Sequence, residues 1–186
     1  MHEEHLMEEK MALWTREFDP QKIERVDKTL VHKVKDENNF LSRIEQIETA
    51  DDDCFLVQLA IDKTHPYYFE HDYDHVPGLM MIEGGRQAGT AIAHMFYQVP
   101  FDTVFILNTM GIRFYRYVEL NQPLFIKTIV RNKMMRKDRL IQMEQDGYFI
   151  QGGHEVGHMD GTWQMYDKRT VARLRRSAQQ PNVTLE

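Results

Sequence analysis

The stretch Pro77-Gly78-Leu79-Met80-Met81-Ile82-Glu83-Gly84-Gly85-Arg86-Gln87 decides how the chain is read. Proline suits the first turn of a helix, where its missing N–H would be unpaired anyway. Apolar residues continue at Ala88, Ala91, Ile92, Ala93, Met95 and Phe96. They predict a helix running to about Gln98, before Pro100 breaks the pattern. A helix that is apolar over most of its circumference is buried. Only a narrow stripe is polar, with Glu83, Arg86, Gln87, Thr90 and His94 at spacings of three and four. Gly84, Gly85 and Gly89 lie inside the helix, where each costs up to about 1 kcal/mol relative to alanine. Such small residues predict another backbone packed very close.

Outward from this helix the pattern changes to strands. On the N-terminal side, Leu30, His32 and Val34 alternate with Val31 and Lys33, and Phe55 to Ile61 is an apolar run suited to a buried strand. Residues 29–62 are therefore expected to be strands, with a turn at Asp51-Asp52-Asp53. On the C-terminal side, Val104–Leu107, Gly111–Val118 and Leu124–Val130 read as strands. Leu140–Gln145 and Tyr148–Ile150 read as a hairpin around Asp146-Gly147, and Val156–Tyr166 as the last strand. Residues 1–28 read as a helical extension acting as a lid or packing arm, 29–176 as one domain and 177–186 as a tail. Two strands, one long buried helix and several more antiparallel strands make an α+β protein, in which a curved sheet wraps a single helix. That is a single hotdog arrangement.

Between the first strands and the helix lies Asp62-Lys63-Thr64-His65-Pro66-Tyr67-Tyr68-Phe69-Glu70-His71-Asp72-Tyr73-Asp74-His75-Val76. It has no clean period and concentrates aromatics, histidines and acids. Ordered loops of that length are usually functional. Glu83 sits in a buried helix with Arg86 one turn on, placed to hold the carboxylate charged. A carboxylate and a histidine from the preceding loop form a plausible acid/base pair. His65 and His75 compete for that place, and His75 is nearer in sequence. The free N–H groups at the helix start, at Gly78, are placed to polarise a carbonyl.

The helix start resembles that of 3-hydroxyacyl-carrier-protein dehydratases: Pro77 and Gly78, four apolar residues, Glu83, and Gln87 in register. With His65-Pro66-Tyr67-Tyr68, Asp74-His75-Val76-Pro77-Gly78 and Glu83, Arg86 and Gln87, it is more similar to the A-factor biosynthesis hotdog family. Leu174-Arg175 also resembles that family's ending. The likeness covers about residues 29 to 176, with two departures. The best-known members carry two tandem units where this chain has room for one, so the resemblance implies a homodimer. Gly84-Gly85 also replaces a stretch that is more often alanine-rich.

The resemblance implies an enzyme acting on an acyl carrier protein or coenzyme A thioester. A β-ketoacyl group would pass to a phosphorylated three-carbon acceptor such as dihydroxyacetone phosphate, in making a butenolide-type signal or secondary metabolite. Glu83 with His75 or His65 would handle protons and Gly78 would polarise the thioester. Arg86 and Gln87 would contact substrate, and Tyr67, Tyr68 and Phe69 would line the acyl channel. A dehydratase, a thioesterase and a non-catalytic acyl-binding dimer are the alternatives on the same scaffold. No cofactor is called for.

Charge and cysteine content narrow the rest. The chain carries 29 acids and 23 bases, net -6, which argues against a nucleic-acid partner. The charge is uneven: residues 1–100 hold 20 acids and 10 bases, and residues 101–186 hold 9 acids and 13 bases. Two basic clusters stand out, Arg131 to Arg139 and Lys168 to Arg176. They are either solvated surface or a docking site for an acidic carrier or a substrate phosphate. The single cysteine, Cys54, cannot form an internal disulfide, and its acidic neighbours disfavour a thiolate, so it reads as a buried thiol. With no secretory signal and no membrane-spanning run, a cytoplasmic protein is expected.

His154-Glu155-Val156-Gly157-His158 matches the zinc-protease pattern, which works only on a helix. Gly152, Gly153, Gly157 and Gly161 mark this segment as a strand, where histidines four apart stand roughly 13 Å apart. Gln164 stands where a third ligand would be. A metal at His71, Asp72, Asp74 and His75 is only weakly signalled.

Overall fold

A computed structural model describes residues 2–47 and 53–179. Helix α1 spans His2–Arg16. Strands β1, Leu41–Ile47, and β2, Asp53–Leu59, precede helix α2, Gly78–Phe96. Then come β3, Val104–Phe114; β4, Phe125–Arg136; β5, Arg139–Gln151; β6, His154–Tyr166; and α3, Lys168–Gln179. The strands form one antiparallel six-stranded sheet in the order β1-β2-β4-β5-β6-β3. The curved sheet wraps α2, whose Met80, Met81, Ala88, Ala91, Ile92 and Ala93 are buried against Phe55, Val57, Phe149, Met159 and Trp163.

Several sequence expectations need correcting. Residues 29–40 are not strand. They form two 3-10 turns, Lys28–Val31 and Asp36–Asn38, joined through His32 at φ 56°. The polar stripe of α2 explains why. Gln87 Nε2 donates to the Asn38 carbonyl at 2.8 Å, and its Oε1 accepts from Phe40 N–H at 2.8 Å. A buried stripe needs such partners, and this bent segment supplies them.

Asp146-Gly147 is not a turn. Both residues lie inside β5, paired across β4 to Ile129 and Thr128. The chain reverses instead at Lys137-Asp138, both with positive φ, and at Gly152-Gly153. The two strands expected over 104–118 are one, β3, with a register shift between Leu107 and Thr109. The basic segment after β6, read only as a charge cluster, is the helix α3. The expected Asp51-Asp52 turn and the tail beyond Gln179 lie outside the described residues.

The α2 glycines also differ from expectation, because side chains lie against them rather than backbone. A Cβ would stand 2.8 Å from Leu59 at Gly84, 2.0 Å from Met159 Sδ at Gly85 and 2.2 Å from Gln145 Oε1 at Gly89. On the other face of the sheet, α1 packs Met7 and Trp14 over Leu56, Phe125, Ile129 and the buried Cys54.

Candidate active site

The start of α2 opens into a hollow of about 490 Å³. His75, Val76, Gly78 and Met81 line one wall, and Phe114, Tyr115, Arg116, Tyr117 and Val118 the other. A hydrogen bond from Val76 N–H to the Val118 carbonyl, 2.8 Å, ties the two segments together. Gly78 is needed there for space, since a Cβ would stand 2.8 Å from the Phe114 ring. The Gly78 N–H is in the first turn, before any intrahelical acceptor is available.

His75 is the histidine that reaches this hollow. Its Nδ1 lies 2.7 Å from Asp74 Oδ1. Asp74 is ionised at neutral pH, because the bond to His75 pulls its carboxyl below the usual range. A carboxylate can only accept, so Nδ1 donates and Nε2 is left as the basic nitrogen. Tyr73 and Tyr117 hold the ring edge-on, with centroids at 5.6 and 5.0 Å.

His65 is committed elsewhere. It is buried, its Nδ1 accepts from Tyr67 N–H and Tyr68 N–H, and its Nε2 lies 3.1 Å from Asn38 Oδ1. Burial lowers its pKa, so the neutral ring braces the loop.

Glu83 is not among the residues lining the hollow. Arg86 grips both its carboxylate oxygens at 2.7 Å, Lys33 lies at 2.8 Å and Gln87 Nε2 at 3.0 Å. Burial by itself would raise this carboxyl. The bonds from Arg86, Lys33 and Gln87 override it and hold the group at about 2. Glu83 is therefore an ionised anchor here, with its oxygens fully engaged.

The structure thus brings His75 and Gly78 together, and separately Glu83, Arg86 and Gln87. Tyr68 and Phe69 pack against the core, and Tyr67 is exposed; none of the three lines the hollow. Its aromatic wall is Phe114, Tyr115 and Tyr117, which sequence reasoning passed over. The aromatic run at the end of β3 was the available signal. A further polar contact joins the stripe to the bent segment: His94 Nδ1 donates to the Val99 carbonyl, and His94 Nε2 meets His32 Nε2 at 2.8 Å. Burial lowers the pKa of both rings.

His154 and His158 stand on strand β6, so they do not share a helical face. Among the described residues no group of three or more His, Cys, Asp or Glu side chains is arranged to hold a metal ion. None of the described helices is long and apolar enough to cross a membrane.

One antiparallel sheet wrapped on one buried helix defines a hotdog-fold protein. The dehydratase heterocomplex ApeI:P from Xenorhabdus doucetiae shares that fold, with TM-score 0.61 at 15% identity over 83% of this chain and 99% of that one. The A-factor biosynthesis hotdog domain matches residues 14–167, and the chain belongs to that family. Among curated relatives, the 2-oxo-3-(phosphooxy)propyl 3-oxoalkanoate synthase of Streptomyces virginiae is 40% identical over 70 residues, 38% of this chain and 21% of that protein. The synthase of the same name from Streptomyces coelicolor is 32% identical over 99 residues, 53% of this chain and 27% of that protein. The matched part thus spans about a quarter or less of these relatives' length.

Proposed function

We propose that this protein is a cytoplasmic acyl-thioester enzyme that moves a β-ketoacyl group from a carrier thioester to a phosphorylated three-carbon acceptor. The observation that carries this is that His75 and Gly78 line one largely apolar hollow at the start of a buried helix. The names of the Streptomyces relatives support the choice of acyl group and acceptor.

In this reading the thioester carbonyl oxygen accepts from Gly78 N–H, and Met81, Phe114 and Val118 shelter the acyl chain. His75 Nε2 takes the proton of the acceptor hydroxyl as its oxygen attacks the carbonyl carbon. The carbon–sulfur bond then breaks, and the thiolate leaves with the proton from His75. Glu83 does not meet the reacting atoms from this geometry. It positions Arg86 and Lys33 and fixes α2 against the bent segment. Acyl carrier protein and coenzyme A present the same thioester, so either serves as the donor.

The test is incubation with β-ketoacyl and 3-hydroxyacyl thioesters, with and without dihydroxyacetone phosphate, read by mass spectrometry. The expected product is the phosphorylated ester, formed only from the β-ketoacyl donor and lost in His75→Asn. A dehydrated acyl product would replace this reading with a dehydratase. The engagement of Glu83 by two cations favours a second reading, a non-catalytic acyl-binding dimer. Acyl-thioester binding without turnover of any donor by the wild type would establish that one, and a phosphorylated ester formed equally by His75→Asn would remove His75 from the chemistry.

A further inference from the structure

The two basic clusters meet in space. The β4–β5 turn brings Arg136, Lys137 and Arg139 to one side of a hollow of about 640 Å³, and α3 brings Arg173 to it. None of these four has an acidic partner among the described residues, whereas neighbouring Lys133 is paired with Asp53. Asp167 also borders the hollow, but its carboxylate is spent on Thr170 N–H and Oγ1 at the start of α3. Unpaired cations around a concavity raise the local potential for an anion. Arginine forks match phosphate oxygens two at a time. A concave pocket suits a small phosphate group better than the convex face of an acidic helix.

The position of this hollow matters as much as its charge. It lies at the Val104–Tyr166 end of the β3–β6 pair, and the His75–Gly78 hollow lies at the Phe114–Gly157 end. Strand β3 is 11 residues long, so the two ends are separated by roughly 33 Å at about 3.3 Å per residue. Strand β3 is also an edge of the sheet. A second copy added antiparallel along that edge, about a two-fold axis, would bring the basic hollow of one chain to the same end of the joined sheet as the His75–Gly78 mouth of the other, with β6 and β3 between them.

We propose that the hollow formed by Arg136, Lys137, Arg139 and Arg173 binds a phosphate monoester, and that in the dimer it serves the mouth of the partner chain. The second half rests on the acyl-transfer reading; the first does not. The phosphate has two possible sources, the acceptor or the nucleotide end of a coenzyme A donor.

The experiment is calorimetric titration in phosphate-free buffer. Dihydroxyacetone phosphate is compared with dihydroxyacetone, and coenzyme A with its 3′-dephospho form. In at least one pair the phosphorylated member should bind ten-fold tighter or more, which names the source. Arg136→Ala/Arg139→Ala/Arg173→Ala should erase that preference while leaving the circular dichroism unchanged. Equal binding within both pairs, or a preference that survives the triple substitution, overturns the phosphate site. Carrier-protein binding that alone is lost in the triple variant overturns it too, in favour of a protein-docking surface.

The sharing between chains is tested by mixing the triple variant with His75→Asn, each impaired in acyl transfer. Random reassociation should restore about a quarter of wild-type activity, because half the dimers are mixed and each has one intact site. No recovery overturns the sharing. A wild type without any acyl transfer counts against the proposed function, and the titration still decides the phosphate site.

Discussion

Glu83 keeps its negative charge because three donors converge on it within a largely closed site. Its folded carboxyl sits at about 2 against an ordinary 4.5. The folded state therefore binds this proton less readily than the unfolded chain. The linked stability is fully present above pH 4.5 and is lost as pH falls toward 2. Glu83→Gln leaves Arg86 and Lys33 without their anion, at a cost of about 1–3 kcal/mol at neutral pH. Urea unfolding should show the gap between wild type and variant constant above pH 5 and closing below pH 4. A gap independent of pH down to 3 would mean that the ion pairs contribute nothing. The sequence spacing announced the Arg86 contact, since residues three apart on a helix are neighbours. It could not announce Lys33, which comes from fifty residues upstream by a backbone path that only the folded chain defines. The choice between His65 and His75 was open for the same reason. Both precede the helix, and only the orientation of the loop shows that His65 faces Asn38 and His75 faces the hollow.

At the scale of elements, the central helix was legible because its pattern is long and bounded by prolines. The segment before β1 departs from its strand-like pattern because Leu30, His32 and Val34 alternate by coincidence, while the polar stripe of α2 demands a partner that periodicity does not reveal. Asp146-Gly147 misled likewise. A Cβ at Gly147 would lie 2.9 Å from Met159 Cγ, so this glycine serves close packing across the sheet rather than a turn. The glycines of α2 give the element its sharpest test. At Gly89 an added methyl meets Gln145 Oε1, which accepts from the Trp163 indole N–H at 3.0 Å, while Gln145 Nε2 donates to the Gly85 carbonyl at 3.0 Å. All of this is buried. Displacing Gln145 strands polar groups at about 1–3 kcal/mol, more than the up to about 1 kcal/mol that alanine returns in helix propensity. At Gly84 the methyl meets the isopropyl end of the buried Leu59, which must shift but carries no polar group to strand. Gly89→Ala should therefore lower the melting temperature by several degrees, and Gly84→Ala should lower it less. Equal effects of the two would refute the role given to the Gln145 bridge.

At the scale of the whole molecule, the two edges of the sheet are unlike. Beside β1 runs the segment after α1, where Val26 N–H donates to the Leu41 carbonyl at 2.9 Å. Strand β3 has no such cover among the described residues. Its Phe105, Leu107, Met110 and Ile112 pack against the core yet remain partly exposed, and Phe114 at its end with Tyr115 and Tyr117 beyond it continue the exposed apolar surface. An open edge of this length invites another strand. A second copy would complete it by symmetry, since a two-fold axis lets β3 meet β3 with the same residues on both sides. Light scattering behind gel filtration should then report about twice 22.2 kDa at micromolar concentration. Asn108 is the place to break the assembly. It falls where the β3–β6 register shifts, so a proline there spares most of the ladder to β6 while spoiling the outer edge. Asn108→Pro should give a folded monomer with unchanged circular dichroism. If that monomer kept full acyl transfer, each His75–Gly78 hollow would be complete within one chain. Activity lost together with the dimer would instead mean that β3 brings two half-sites together, which is why its long edge is left open.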